Sequence, residues 1–171
     1  MRKVIKNIWN ITTWIIVAFV VIMAIALAGT RFVGYIPYAV LSPSMTPIYQ
    51  VGDLVYVKAI EPETIEIGDA ITFVANEELL VVTHRVTETD RENRCFITKG
   101  DANNVEDAAP VLYENVLGVV AFSLPKLGYI SMYLSTESGK YVGIAVVLTM
   151  ILLFILPEVF KQDKKKDNSE N

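Results

Sequence analysis

A serine between two prolines is the first feature of the sequence that could do chemistry. Ser44 lies between Pro43 and Pro47. Two prolines at this spacing disfavour both a regular helix and a central strand, so we expect a rigid turn. A serine hydroxyl held in a fixed position is suited to nucleophilic attack, provided that a neighbouring base accepts its proton. Serines in such sequences usually belong to ordinary loops, so a catalytic role depends on what the rest of the chain supplies.

One histidine and two aspartates could complete a catalytic group around this serine. His84 is the only histidine in the chain, and it lies in a strand-like run where a structural role is the alternative. Asp101 and Asp107 follow in a segment rich in turn-forming residues. Either carboxylate could accept a hydrogen bond from the imidazole and stabilise its charged form, or both could belong to a solvated turn. The residue types therefore allow a Ser-His-Asp arrangement and leave the acid open.

The same residue counts exclude several other kinds of site. One histidine and one cysteine, Cys95, are too few for a Cys/His zinc cluster, an intrachain disulfide or a cysteine-ligated iron–sulfur centre. We therefore expect no metal and no cofactor, and we interpret Cys95 as a small buried apolar residue. A formal net charge of −4 and a pI near 5.0 provide no basic surface for nucleic acid.

Two apolar segments flank the region that holds these candidates. The chain is 53% hydrophobic, and its mean hydropathy of +0.41 is high for a water-soluble domain. Residues 8–28 contain no charge and would form a helix of about 31 Å, enough to cross a bilayer. Residues 141–160 are a second candidate, interrupted by Pro157 and Glu158. We expect two transmembrane helices; a cleavable signal peptide ending at Ala28 is the alternative for the first.

The distribution of charge predicts how the chain is oriented. Basic residues are concentrated in residues 1–7 and 161–171, at the two ends. Residues 31–139 contain 7 Lys and Arg against 15 Asp and Glu, a net charge of −8. The positive-inside rule therefore places a short N-terminal segment and a C-terminal tail in the cytoplasm, and residues 31–139 on the outer side of the cell membrane.

The region between the two apolar segments has the pattern of a β domain. Short runs rich in Val, Ile, Thr and aromatic residues alternate with Gly-Asp and similar turn signals. The runs are residues 53–58, 70–74, 79–86, 95–98 and 116–122. Because no helical period competes between residues 51 and 122, we expect residues 31–139 to be a mainly β domain whose sheet closes towards a barrel or sandwich.

The motifs and their order resemble the type I signal peptidases of the endoplasmic-reticulum, archaeal and SipW-like branch. The matching pieces are Ser42–Met45 with Pro47, Val51–Val55, Ile67–Asp69, Thr83–Val86, Thr98–Asp101 with Asp107, and Leu127–Ile130. The resemblance implies a signal-peptidase-like β domain with flanking transmembrane helices. It also implies a membrane-bound serine endopeptidase that removes N-terminal signal peptides from secreted preproteins after small residues of the Ala-x-Ala type.

The resemblance also implies roles for individual residues. Ser44 would be the nucleophile, and His84 would be the base at the position where the bacterial housekeeping branch has a lysine. Family spacing favours Asp107 as the triad acid and makes Asp101 the other acidic position of the same motif. The Ser42 hydroxyl would join the Ser44 backbone N–H in stabilising the oxyanion. Secretory preproteins and the lipid bilayer are then the expected partners.

The substrate-binding residues are less well determined by the sequence. The resemblance implies that the precursor binds as an added strand, with shallow apolar pockets for small side chains. Val40, Leu41 and Met45 are candidates because they are close to Ser44 in sequence, with ordinary packing as the equal alternative. The competing hypothesis for the whole chain is a catalytically silent, membrane-anchored scaffold or assembly factor for secreted proteins.

Overall fold

The computed structural model describes residues 2–75 and 80–167, and the chain divides into two compact units. Leu27–Met132 form one unit, which contains the β-sheet. The other unit contains the chain up to Ala26 and from Tyr133 onward. Leu79, the first residue of one predicted strand, and residues 168–171 of the predicted tail lie outside the described residues.

Helix α1 spans Arg2–Leu27. Within the described residues it is the one helix long and apolar enough to cross a membrane, over Asn7–Leu27. Its apolar side chains are exposed, as in Phe19 with 63% and Ile22 with 64% of the surface accessible. Side chains of this kind need an apolar surrounding, which lipid provides.

Two more helices follow the sheet. Helix α2 spans Leu127–Ser135, and helix α3 spans Glu137–Asp167. Helix α3 contains the whole predicted second crossing, residues 141–160, but its crossing of a membrane stays a prediction. Helix α2 was not predicted as a helix, because its apolar and aromatic residues have no clear helical period.

In the described part of the chain, seven strands form one curled antiparallel sheet, and this confirms the mainly β prediction. The strands are β1 Tyr35–Ala39, β2 Leu54–Lys58, β3 Ala70–Val74, β4 Val81–Asp90, β5 Cys95–Lys99, β6 Val111–Leu112 and β7 Val116–Leu124. Their order across the sheet is β1-β2-β7-β3-β4-β5-β6. The two edge strands β1 and β6 are not paired with each other in the described residues, so backbone pairing does not close the sheet into a complete barrel.

The five predicted strands are present, and two others were missed. Strand β4 extends four residues beyond the predicted end, because its polar second half pairs with β5 from Arg85 to Asp90. Strand β1 contains Pro37, which lacks an N–H donor and is tolerated because β1 lies at the edge of the sheet. Strand β6 has only two residues, too few for a recognisable pattern.

The main core lies on one face of strands β3 to β6. Its buried members are Ile65, Ile71, Phe73, Val86, Phe96, Val111 and Tyr113. Within this core the rings of Phe96 and Tyr113 stack with their centroids 4.7 Å apart. His84 lies directly opposite Ile71 in the β3–β4 pair, and residues opposite each other project to the same face. The register of these two strands therefore places His84 at the border of the core.

Helix α2 begins against the start of β2. Gly52 has a φ of 90°, and a Cβ atom there would lie 2.0 Å from the Tyr129 ring. The Tyr129 hydroxyl donates a hydrogen bond to the Val51 carbonyl at 3.1 Å. The first turn of α2 thus packs on the β unit.

Candidate active site

Ser44 lies in a tight turn, as predicted. Pro43–Met45 form a single 3₁₀ turn between extended residues, closed by a hydrogen bond from the Thr46 N–H to the Pro43 carbonyl at 3.0 Å. Ser44 is half-buried, and its Oγ lies 3.2 Å from the Oγ of Ser42, within hydrogen-bond distance. The turn contacts strand β4, which carries His84.

The loop that follows β5 anchors the serine turn. The Ala102 N–H donates to the Ser44 carbonyl at 2.8 Å, and the Asp101 N–H donates to the Met45 sulfur at 3.4 Å. Gly100 also lies against the turn, because a Cβ atom there would be 2.6 Å from the Ser44 carbonyl oxygen. The absence of a side chain at Gly100 therefore permits the close approach of loop and turn.

His84 and Asp107 form a close pair. His84 is buried, and its Nδ1 lies 2.6 Å from Oδ2 of Asp107. The same oxygen accepts a hydrogen bond from the Thr98 hydroxyl, also at 2.6 Å. The Phe73 ring lies edge-on to the imidazole, with the centroids 6.4 Å apart. A carboxylate on Nδ1 favours the tautomer in which Nε2 is free to accept a proton.

Asp101 has a different partner. Its two oxygens accept hydrogen bonds from Nε and Nη2 of Arg85, at 2.7 and 2.6 Å. Arg85 also donates from Nη1 to the Gly68 carbonyl at 2.7 Å. The hydrogen bonds to Asp101 raise the pKa of Arg85, although its partial burial opposes them. Because Arg85 follows His84 in β4, the two side chains project to opposite faces of the sheet.

The two candidate acids therefore belong to different pairs. Asp107 contacts the imidazole, while Asp101 is bound to Arg85 and contacts the serine turn through its backbone. Glu106, next to Asp107, is directed to another partner, since it accepts a hydrogen bond from the Thr87 hydroxyl at 2.8 Å. The residue types alone left the choice between Asp101 and Asp107 open, because both acids belong to one turn-rich segment, and only the family resemblance favoured Asp107.

No hydrogen bond joins Ser44 to His84 in the part of the chain that the structure describes; the Ser44 hydroxyl is paired with Ser42 instead. Catalytic hydrogen bonds of this kind commonly form or tighten only when substrate binds. The backbone N–H of Ser44 also has no protein acceptor among the described residues. A backbone N–H without a protein acceptor beside a serine hydroxyl is available to bind an oxyanion.

A cavity of about 250 Å³ opens beside the imidazole and its carboxylate. Its lining is largely apolar: Phe73, Val74, Ala75, Val82, His84, Asp107, Ala109, Pro110, Val111 and Asn115. The predicted substrate-binding residues are elsewhere. Leu41 is 69% exposed, Val40 is half-buried, and Met45 is only 2% exposed. Contact of these three residues with substrate stays a prediction.

The sequence analysis predicted no role for two residues of the site, Arg85 and Thr98. Arg85 and Thr98 lie within the recognised motifs, but a charged residue and a threonine in strands carry no signal of their own. The only signal in the sequence is that side chains alternate between the two faces of a strand, which places Arg85 and His84 of β4 on opposite faces. The pairing of Thr98 with Asp107 depends on the path of the loop between them.

A hydroxyl in a rigid turn and a buried imidazole with a carboxylate on Nδ1 are the groups that serine hydrolases use. No family model matches the chain. The chain is 35% identical to signal peptidase I W of Bacillus subtilis (strain 168) over 131 residues, which cover 70% of this chain and 68% of that protein.

Eukaryotic proteins show a similar likeness. The chain is 33% identical to the signal peptidase complex catalytic subunit SEC11 of Komagataella phaffii, over 68% of this chain and 75% of that protein. It is 30% identical to the catalytic subunit SEC11C of Rattus norvegicus, over 67% of this chain and 65% of that protein. The chain belongs to the type I signal peptidase family, as the sequence motifs implied.

Proposed function

We propose that this chain removes N-terminal signal peptides from secreted preproteins, with Ser44 as nucleophile, His84 as base and Asp107 as acid. The proposed activity is supported by the membership of the chain in the signal peptidase family. The assignment of the residues rests on one observation above all, the 2.6 Å contact between Asp107 and Nδ1 of the only histidine in the chain. The scaffold alternative has no better support.

The proposed mechanism follows from the orientation of the imidazole. With Nδ1 hydrogen-bonded to Asp107, Nε2 of His84 accepts the proton of Ser44 as its Oγ attacks the carbonyl carbon of the scissile peptide bond. The imidazolium then donates that proton to the leaving amine, and an acyl-enzyme forms. A water molecule, deprotonated by the same imidazole, attacks the ester and releases the signal peptide from Ser44.

The oxyanion of the tetrahedral intermediate needs its own donors. We assign these to the Ser44 N–H and to the Ser42 hydroxyl, whose oxygen lies 3.2 Å from the Ser44 hydroxyl. One such donor is worth ~2.7–4 kcal/mol in the transition state of a related reaction type. To act on the oxyanion, the Ser42 hydroxyl must exchange its hydrogen bond to Ser44 for one to the substrate oxygen.

We propose that Asp101 supports the turn that holds Ser44 and takes no part in the proton transfer through His84. Its carboxylate is engaged by Arg85, and its backbone N–H holds the Met45 sulfur. The next residue, Ala102, holds the Ser44 carbonyl. The ion pair thus fixes the loop that supports the nucleophile, and Asp101 contributes to activity through position.

An extended substrate fits the unpaired strand edges. Edge strand β1 leads within a few residues to Ser42, and β1 pairs only with β2 among the described strands. The first half of β4, ending at His84, pairs with β3 on one side, whereas its pairing with β5 begins at Arg85. Both edges offer backbone groups to an added strand.

Val40 and Leu41, directly after β1, are proposed to contact the substrate, while Met45 supports the turn from inside.

The membrane arrangement is proposed from the sequence and the helices. Helix α1 is the anchor, and α3 is proposed as a second crossing, with both chain ends in the cytoplasm and residues 31–139 outside. Only 15 residues separate Ala28 from Ser44, so the nucleophile stays near the membrane surface. A preprotein anchored by its own signal helix presents its cleavage site at a similar height.

Cleavage of a defined preprotein tests this function. The full chain in liposomes is incubated with a precursor that has alanine at the first and third positions before the cut. The matched precursor carries phenylalanine at both positions. We expect one product from the alanine precursor, with the mature N-terminus at the predicted bond, and no cleavage of the phenylalanine precursor. Equal processing of both would contradict the proposed specificity.

A further inference from the structure

Oδ2 of Asp107 receives two hydrogen bonds. One comes from Nδ1 of His84 and the other from the hydroxyl of Thr98, and both heavy-atom distances are 2.6 Å. A carboxylate can only accept, so the Thr98 hydroxyl must be the donor. Short bonds to a charged acceptor are among the strongest that a neutral donor makes.

Thr98 is held firmly where it makes this bond. It lies in β5 opposite Val86 and is completely buried, with 0% of its surface accessible. A threonine is restricted about χ1, and the surrounding core leaves it little room. The backbone adds a second link, because the Asp107 N–H donates to the Thr98 carbonyl at 2.8 Å. Main chain and side chain of one residue thus fix the acid.

Asp107 needs such support because of its position. It lies in a loop, and 25% of its side chain is accessible to solvent. Without a second donor, the carboxylate can rotate towards water and its contact with Nδ1 weakens. With the donor in place, Oδ2 stays between the hydroxyl and the imidazole.

We propose that Thr98 is a positioning residue that holds Asp107 against His84 and so keeps the Nδ1 proton in place and Nε2 free as the base. The proposal rests on the proposed function for its effect on cleavage, but the effect on the imidazole itself does not depend on which substrate is cut. Thr98 touches neither substrate nor the reacting atoms in this scheme.

Three substitutions separate this role from simple packing. Thr98→Val keeps the shape and removes the donor, while Thr98→Ser keeps the donor and removes a methyl group. The matched control is Thr87→Val, since Thr87 donates to the neighbouring acid Glu106 from the adjacent strand. We expect Thr98→Val to lower kcat on the order of tenfold or more, with KM changed by less than about twofold. Thr98→Ser should retain most of kcat, and Thr87→Val should stay within about threefold of the parent.

The imidazole can be observed directly because His84 is the only histidine. The full chain is labelled with ¹⁵N-histidine, and the ring-nitrogen shifts report which nitrogen carries the proton. In the parent, Thr98→Ser and Thr87→Val, we expect the Nδ1–H tautomer to dominate at neutral pH. In Thr98→Val, we expect a mixture of tautomers and faster exchange of the Nδ1 proton.

Several results would overturn the proposal. These are an unchanged tautomer and an unchanged kcat in Thr98→Val, a failure of Thr98→Ser to restore them, or an equal loss in Thr87→Val. If Thr98→Val does not fold, as shown by its unfolding transition, the comparison of Thr98→Ser with Thr98→Ala replaces it, and equal behaviour of those two also contradicts the role. If the parent cleaves no precursor, the proposed function fails while the tautomer measurement still decides the role of Thr98.

Discussion

His84 and Asp107 are 23 residues apart in the chain, yet Nδ1 of one lies 2.6 Å from Oδ2 of the other. The strand register accounts for this contact. Pairing of β4 with β3 directs the imidazole to the core face, and the loop after β5 returns to Thr98, where the Asp107 N–H is bound. The neighbouring pair, Arg85 with Asp101, is directed to the opposite face by the same alternation.

The first prediction separates the two acids. Asp107→Asn should lower kcat by about a hundredfold or more, because the amide cannot hold the same tautomer and cannot stabilise the imidazolium. Asp101→Asn should act mainly on the serine turn and on stability, since it breaks the ion pair with Arg85. Precursor cleavage and the unfolding transition of both variants are measured together. A full loss of turnover in a stably folded Asp101→Asn, with an active Asp107→Asn, would reverse the assignment.

The second prediction concerns the contact between the loop and the turn. In Gly100→Ala, the new Cβ atom would meet the Ser44 carbonyl at 2.6 Å and the Asn103 amide nitrogen at 2.8 Å. Since the first of these is a backbone atom, the turn must shift, and misplaced catalytic groups lose much of their effect. We expect kcat to fall by about tenfold or more. Gly68→Ala is the comparison, because its Cβ atom would meet nothing within 4 Å.

Gly68 differs from Gly100 in its backbone conformation, since Gly68 has a φ of 98°. Gly68→Ala should therefore cost stability through backbone strain while leaving kcat of the folded protein close to the parent value. A normal kcat for Gly100→Ala, measured on folded protein, would show that the loop does not position Ser44.

The third prediction is a dependence of stability on pH at the β4–β5 turn. Asp90 accepts hydrogen bonds from the side chain and the backbone N–H of Asn93, and these lower its pKa from the usual 3.8. A carboxylate with a lowered pKa in the folded state contributes stability above its unfolded value, about 3.9, and this contribution is lost as the pH falls through the folded value.

Asn93→Ala removes the side-chain donor, so its unfolding midpoint should lie slightly below that of the parent at neutral pH. The difference should shrink as the pH falls below about 4. Asp90→Asn removes the titrating carboxylate and should abolish the same pH-dependent part. Unfolding curves of the three proteins at several pH values measure this effect. A difference that grows in acid would contradict a lowered pKa of Asp90 in the folded protein.

Much of the fold could be predicted because its strands are regular. The runs that form β2, β3 and β7 have the apolar and β-branched composition of buried strands, and a Gly-Asp pair directly precedes both β2 and β3. Strand β1 was not predicted because Pro37 disfavours a strand unless the strand lies at the edge of a sheet. Which strand lies at the edge depends on the whole sheet. Helix α2 was not predicted because its apolar composition is equally typical of a helix, of a segment lying on a membrane surface and of a segment packed on a domain.

Residue types were enough to predict the candidate catalytic residues, but not to predict which acid pairs with which partner. Ser44 and His84 stand out because one lies in a rigid turn and the other is the only histidine. The choice between Asp101 and Asp107 depends on which face of β4 each loop position meets, and no local pattern specifies that. Thr98 gave no signal, because a buried threonine is an ordinary residue in a strand.

Cleavage by the intact protein and by Ser44→Ala, side by side in liposomes, decides whether Ser44 is the nucleophile of a signal peptidase. The precursor is the one with alanine at the first and third positions before the cut, and Ser42→Ala is run beside them as a variant with a weakened oxyanion site. We expect mature product from the intact protein, a reduced rate from Ser42→Ala and no product from Ser44→Ala. Equal product from the intact protein and Ser44→Ala, with contaminating protease excluded, would show that Ser44 is not the nucleophile.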